Sequence, residues 1–224
     1  RTPEQAANTN PVVVATLVEL AFEAGAAEVK VFDRSCNKAR RTYVRSGVAD
    51  AAEKAGAKVF YAEDDRFVDV EVPNAKVLKE WPLSRDAIES DVFINVPILK
   101  HHGATDMTAG MKNLMGCAGG NRGAWHVGHL DQRIADVQSA IRPDLVVLDA
   151  FRVLLDHGPQ GGSLEDVKQM ASVAASTDIV AIDAYGAKLM GKNPHDIEHI
   201  VYGAEKGFGV IDLSKVKIEE ESVS

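Results

Sequence analysis

The 224-residue sequence has only two cysteines, Cys36 and Cys117, far apart and in no CxxC or knuckle spacing. By themselves they cannot hold a four-cysteine iron–sulfur cluster, so none is expected within this chain, and both are expected as reduced thiols. Positive charge is also scarce: 25 Lys and Arg against 33 Asp and Glu give a net charge of -8. Nucleic acid and anionic membrane surfaces reward clustered cations, so neither is an expected partner. No apolar run is long enough to span a bilayer, the longest being Val12 to Phe22, broken by Glu19. No signal peptide, internal repeat or low-complexity linker is visible in the sequence. The cytoplasm is the expected compartment, with export left open because the chain begins at Arg1 without a methionine.

What is present is a chain of 46% hydrophobic residues, enough for one continuous core. Pro11 suits a first helical turn, Val12, Leu17, Leu20 and Ala21 recur at helical spacing, and Gly25 stops them. EVKVFD (28–33) reads as a buried strand, Thr42 to Ala57 as a helix and KVFYA (58–62) as a second strand. DVFINVPIL (91–99) has the unbroken apolar character of a central strand, ended by Pro97, and PDLVVLDA (143–150) is another. Helices are expected from Asp106 to Met115, from Trp125 through Ile141, over 164–176, over 178–190 and over 194–206, with a short strand near the C-terminus. Helices alternating with buried strands predict one α/β domain over 1–224, a mostly parallel sheet flanked by helices. Its first strand is expected to be missing. Residues 67–80 alternate like an antiparallel hairpin with one wet face and predict a small β insertion; Trp81 beside it is expected to pack rather than to stack on a ligand.

Polar, titratable residues concentrate between Asn95 and Arg133. That stretch holds four of the seven histidines and a local excess of positive charge from Lys100, Lys112, Arg122 and Arg133. Lys100 and His102 stand at the tip of the central strand, where α/β folds bind ligands. The loop Asp33-Arg-Ser-Cys36-Asn37 comes after an earlier strand in the same way, with use of Asp33 or Cys36 weighed against a solvated loop and a helix cap. Lys100 and Lys112, beside the glycine-rich segment with Gly119 and Gly120, suit a phosphate or carboxylate. His126 and His129, three apart, can face one side and with His102 form a three-imidazole set for a divalent metal. Asp149, ending a buried strand, can orient a histidine or balance the lysines, or simply cap its loop. Asp183 lies on an apolar helical face and needs a partner if buried. His195 and His199 read as surface residues.

The run NVPILKHHGATDMTAGMKNLMG resembles the signature of the family called domain of unknown function 362, approximately P-x-L-K-x-H-x-x-T-x-x-x-x-K-N-x-x-G. Pro97, Lys100, His102, Lys112, Asn113 and Gly116 match it, with the threonine on Thr105 or Thr108. Residues 142–150, the Gly158-Pro159 turn and residues 176–191 look like later blocks of that family. Lys100, Asn113 and Gly116, which match the signature, are expected cofactor-binding residues, and the resemblance implies an association with iron–sulfur proteins, since many members carry a ferredoxin-like cysteine module. More remotely, the order His102, Lys112, then His126 or His129 is similar to that of nickel-pincer lactate racemases, in which the lysine tethers the cofactor, one histidine ligates nickel and another transfers a proton. On these grounds Lys112, His102 and His129 are the expected catalytic residues. The function expected is that of an enzyme or cofactor-dependent protein binding a small anionic molecule, or of a non-catalytic accessory protein in a redox or metal-handling pathway. A second copy of the chain and a redox protein are the other expected partners.

Overall fold

Asn10 and Pro11 open the first long helix. In the computed structural model, which describes residues 1–222, the Asn10 side chain accepts from the Val12 amide and Pro11 takes the first position of α1 (Pro11–Glu23), where no amide is needed. β1 (Lys30–Val31) comes next. The single helix expected over 42–57 is two, α2 (Ala39–Ser46) and α3 (Val48–Lys54). Gly47 between them has φ 76°, a left-handed conformation that ends a helix and that glycine adopts without strain. β2 (Lys58–Val59) pairs parallel with β1. α1 and α3 pack on this pair through Val14, Val18, Ala52 and Ala57.

The hairpin lies slightly further along than expected: β3 (Phe67–Glu71) pairs antiparallel with β4 (Glu80–Ser84). Trp81 packs as expected, edge-on to Trp125 with centroids 5.5 Å apart. α4 (Arg85–Glu89) is capped by the Ser84 hydroxyl, which accepts from the Ala87 amide. The apolar run over 91–99 yields two strands, β5 (Ile94–Asn95) and β6 (Ile98–His102), with Val96 and Pro97 between them. The helix expected from Asp106 begins instead as a strand. A tight turn sends β7 (Asp106–Thr108) back along β6, so α5 (Gly110–Asn113) and a 3-10 turn at Leu114–Cys117 are all that remains of that helix. α6 (Leu130–Val137) lies beyond a 3-10 turn at Arg122–His126.

β8 (Leu145–Leu154) is the spine of the main sheet. β5 and β6 pair with it in succession and parallel, Ile94 opposite Leu145 and Lys100 opposite Leu154. Antiparallel β9 (Val167–Ser176) runs along its other edge. β9 corrects the helix expected over 164–176. α7 (Ile179–Leu189) starts on Asp178, whose carboxylate accepts from the Val180 and Ala181 amides, and α8 (Glu198–Glu205) comes after a short turn. Near the C-terminus the described residues form a 3-10 turn at Leu213–Lys215 where a strand was expected. The fold is thus α/β, its parallel pairings joined by antiparallel strands and flanked by helices. Leu99, Met107, Leu148, Val180 and Ile200 sit in its main core.

Candidate functional site

β6 places Lys100 and His102 two residues apart, hence on one face of the strand. β7 sets Thr108 directly opposite Lys100, so those two side chains share that face. Asp183 fixes the next turn of chain. Fully buried on α7, it accepts from the Gly110 and Met111 amides at 2.6 and 2.9 Å, which anchors the start of α5 and with it Lys112. Lys112 is only 6% exposed, and its ammonium has the Met115 thioether, 3.3 Å away, as its hydrogen-bond partner. A thioether is a weak acceptor, and an ammonium has three donors to satisfy. Lys100 Nζ donates to the Ala7 carbonyl at 2.5 Å.

The loop after β1 comes in from the other side. The Tyr43 hydroxyl accepts from the Asp33 amide and donates to the Asp33 carbonyl. A Cβ on Gly116 would fall inside the Asp33 carboxylate, so only glycine allows the loop to approach this closely. The Arg34 amide donates to the Gly116 carbonyl at 2.9 Å. Arg122 clamps the arrangement: Nη1 donates to the Met115 carbonyl at 2.6 Å, and Nη2 to the Arg34 carbonyl and to Cys36 Sγ, the latter at 3.4 Å. The Asp33 side chain is exposed, its carboxylate against Gly116. It lies at the seam where the loop after β1 meets the β6–β7–α5 unit, the cleft of the candidate site.

Charge in this cleft is unbalanced. Burial pulls the Lys100 ammonium down to about 8, against the opposing pull of Cys36 and Asp33. Burial does the same to Lys112, again to about 8, with Asp131 and Cys36 opposing it and Lys100 and Arg122 adding to it. Desolvation raises Asp33 while Arg122 and Lys100 draw it back. His102 falls to about 3, first through burial and then through Lys112, His126 and Lys100, so it is neutral at pH 7. Its Nδ1 accepts from the Ala104 amide at 3.1 Å, which leaves the ring hydrogen on Nε2 as a donor. Three cations therefore face two carboxylates, Asp33 and Asp131, with a neutral imidazole beside them.

The other expected residues fall in several places. His126 is exposed and stacks on His102 with centroids 6.1 Å apart. His129, at φ 56°, precedes α6 and lines an adjoining cleft of about 300 Å³ with His126, Asp131 and Tyr202. Two of the three imidazoles expected to take a metal are thus side by side, and among the described residues no group of three or more His, Cys, Asp or Glu is placed to hold an ion. Asn113 donates to the Asn95 side chain at 2.7 Å, and Asn95 to the Gly110 carbonyl at 2.8 Å. Gly119 packs against the Phe67 ring and Gly120 against Pro82. Asp149 is 1% exposed and accepts from the Asn10 and Phe151 amides at 2.7 and 3.0 Å. His199 corrects its surface reading: it is fully buried, its Nδ1 2.7 Å from Asp131 Oδ1. Gly203, four residues on and buried on the same helix, shares its face at helical spacing and is the signal that marks it as inward. Arg122 is the cleft residue least legible in advance, because only its charge set it apart.

The family profile described as Domain of unknown function (DUF362) matches residues 1–188. The chain belongs to the DUF362 family. Every cleft residue, from Asp33 to Arg122, lies within the DUF362 match. The chain is also 28% identical over 196 residues to "Thylakoid-associated protein sll1697" of Synechocystis sp., covering 84% of this chain and 59% of that relative. It therefore spans somewhat under two thirds of the relative's length. No helix among the described residues is long and apolar enough to cross a membrane.

Proposed function

We propose that this DUF362 chain binds a small anionic molecule, a phosphate or carboxylate, in the cleft between the loop after β1 and the β6–β7–α5 unit. Lys100, Lys112 and Arg122 supply the charge and His102 Nε2–H a neutral donor. One observation carries the reading: the Lys112 ammonium is more than nine-tenths buried with a thioether as its hydrogen-bond partner. An anion offers such a group the oxygen acceptors it lacks, through charge-assisted hydrogen bonds. A lysine whose pKa lies near 8 can also exchange a proton close to neutrality, so the same cleft suits an enzyme acting on an anionic substrate. The reading is independent of whether the His102–His126 pair takes a metal. The relative's thylakoid association favours a second reading, an accessory protein that uses the same cleft without turnover.

The test is calorimetric titration of the protein with inorganic phosphate, sulfate and small carboxylates, beside Lys112→Met and Arg122→Gln. Saturable binding by wild type that weakens at least tenfold in both variants is expected. Absence of binding by any of these anions would sink the reading, and turnover of an anionic substrate would separate the enzyme from the accessory protein.

A further inference from the structure

A second cleft adjoins the anion site. It lies where the start of α6 meets the start of α8, holds about 300 Å³ and has His126, Asp131, Gln132 and Glu198 in its wall. Three links join it to the anion cleft. The His126 ring stacks on His102, the amide of Ala104, also in the wall, donates to His102 Nδ1, and the Asp131 charge acts on Lys112.

The side chains of this wall present acceptors. Gln132 is only 8% exposed, and its Nε2 donates to Asp136 Oδ1 at 3.0 Å, which leaves its carbonyl Oε1 without a partner among the described residues. Turning that amide over would set a carbonyl against a carboxylate, so Oε1 stays the free end. His199, fully buried behind the wall, donates from Nδ1 to Asp131 Oδ1 at 2.7 Å, since a carboxylate only accepts. The carboxylate is thereby fixed, with Oδ2 still to be satisfied. The Gly123 carbonyl takes the Nδ1 hydrogen of His126 at 3.3 Å, so neutral His126 offers Nε2 as an acceptor. Cations around the wall are engaged elsewhere: Arg133 donates to the Trp125 and Gly128 carbonyls, and Lys76 pairs with Glu205 at 3.5 Å. The helix starts bring about half a positive charge each, against a full negative charge on each of Asp131 and Glu198. The cleft therefore stays negative.

A metal ion draws nitrogen and oxygen ligands to about 2.0–2.2 Å, and among the described residues no three His, Cys, Asp or Glu groups are placed for that. An ammonium meets its acceptors at about 2.7–2.9 Å and so suits a wider ring. We propose that this cleft is an ammonium subsite, held by Asp131 and Gln132 with exposed Glu198 at its rim, and that the ligand spanning both clefts is a small zwitterion, an amine that also carries a phosphate or carboxylate. The ammonium subsite stands on its own side chains, and the zwitterion rests on the anion-binding reading.

Calorimetric titration at pH 7 with matched ligands tests this: ethyl phosphate beside 2-aminoethyl phosphate, butyl phosphate beside 4-aminobutyl phosphate, and butylammonium as the amine alone. In wild type the amino member of at least one pair should bind at least tenfold tighter than its alkyl partner. In Asp131→Asn and in Glu198→Gln that preference should shrink at least threefold while alkyl phosphate affinity is kept. Glu198 is exposed, so its variant carries the test should Asp131→Asn fail to fold. Alkyl phosphate binding with no preference for the amine refutes the subsite and leaves the anion site standing, and a preference unchanged in the variants refutes the subsite equally. No alkyl phosphate binding by wild type refutes the anion site instead. Saturable butylammonium binding that weakens in the variants then still upholds the subsite, and its absence refutes that too.

Discussion

Lys112 sets the balance between stability and binding at the scale of one residue. Keeping an ammonium in a buried place without oxygen partners is costly, and replacing such a group by an apolar one of similar volume is commonly neutral or stabilising. Lys112→Met should therefore melt no lower than wild type by calorimetry at pH 7 while losing anion affinity tenfold or more. A residue that served only as structural packing would lose stability and binding together. The sign of the pH effect comes from the lowered ammonium. In the folded chain Lys112 titrates near 8, against an ordinary lysine value of 10.5. The unfolded chain thus binds more protons between those values, and the burial penalty, full below pH 8, is relieved as pH rises toward 10.5. Any stability advantage of Lys112→Met should accordingly shrink over that window. Lys100 and His102 were legible in the sequence as titratable residues at a strand tip, and Lys112 as a cation on the helix beyond it. The closeness of Cys36 to Arg122, 86 residues away, was not, because it arises where one loop meets another and leaves no local pattern.

Single polar residues hold whole elements in place. Asp136 of α6 is fully buried and accepts from the amides of Lys76, Val77 and Leu78 at 3.1, 2.7 and 3.0 Å, with Lys206 Nζ 3.0 Å away. It fastens the loop joining β3 and β4 to the body of the protein. Burial alone would raise its carboxyl, but the three amides and Lys206 hold it below the ordinary value, so this stability is present above about pH 4 and is lost as pH falls through the lowered pKa. Asp136→Ala should cost about 3–5 kcal/mol in denaturant unfolding, the range for breaking a buried charged network by removing one partner. Gly116→Ala acts on the cleft: its Cβ displaces the Asp33 carboxylate, so anion affinity should drop at least tenfold, with a stability loss of about 1–3 kcal/mol typical of overpacking. Titration and unfolding of this one variant check both numbers. β9 shows why some elements escaped the sequence. Met170, Ser172, Ala174 and Ser176 point to the partly buried side while Ala171, Val173 and Ala175 are exposed, so neither side is consistently apolar and the period of two is hidden. The strand is specified by its pairing with β8, a contact outside its own sequence. α1 and α7, by contrast, carry their caps locally and both were legible as helices, although α1 buries Val14 and Val18 while Val12 and Leu20 of its expected face are exposed.

At the scale of the molecule, a chain with net charge -8 gathers three cations into one cleft. The overall charge repels anions at long range, and the cleft attracts them at short range. Added salt screens both, so sulfate affinity should decline from 20 to 200 mM sodium chloride by less than it would for an exposed cation patch, since Lys112 is buried and Lys100 half-buried. Ligand binding should also show as stability. At an anion concentration one hundred times Kd the folded state gains about 2.7 kcal/mol, a rise in melting temperature of about 5–10 °C for a chain of this size. Scanning calorimetry with phosphate checks this directly.

The most direct test of the anion cleft is the affinity of wild-type protein for sulfate at pH 7 and at pH 9.5, measured calorimetrically at fixed ionic strength. Sulfate keeps its charge across that range, so any change belongs to the protein. Because Lys100 and Lys112 both titrate near 8, affinity should fall at least tenfold between the two values while Arg122 stays charged. Equal affinity at both would contradict the placement of the two lysines in the binding site.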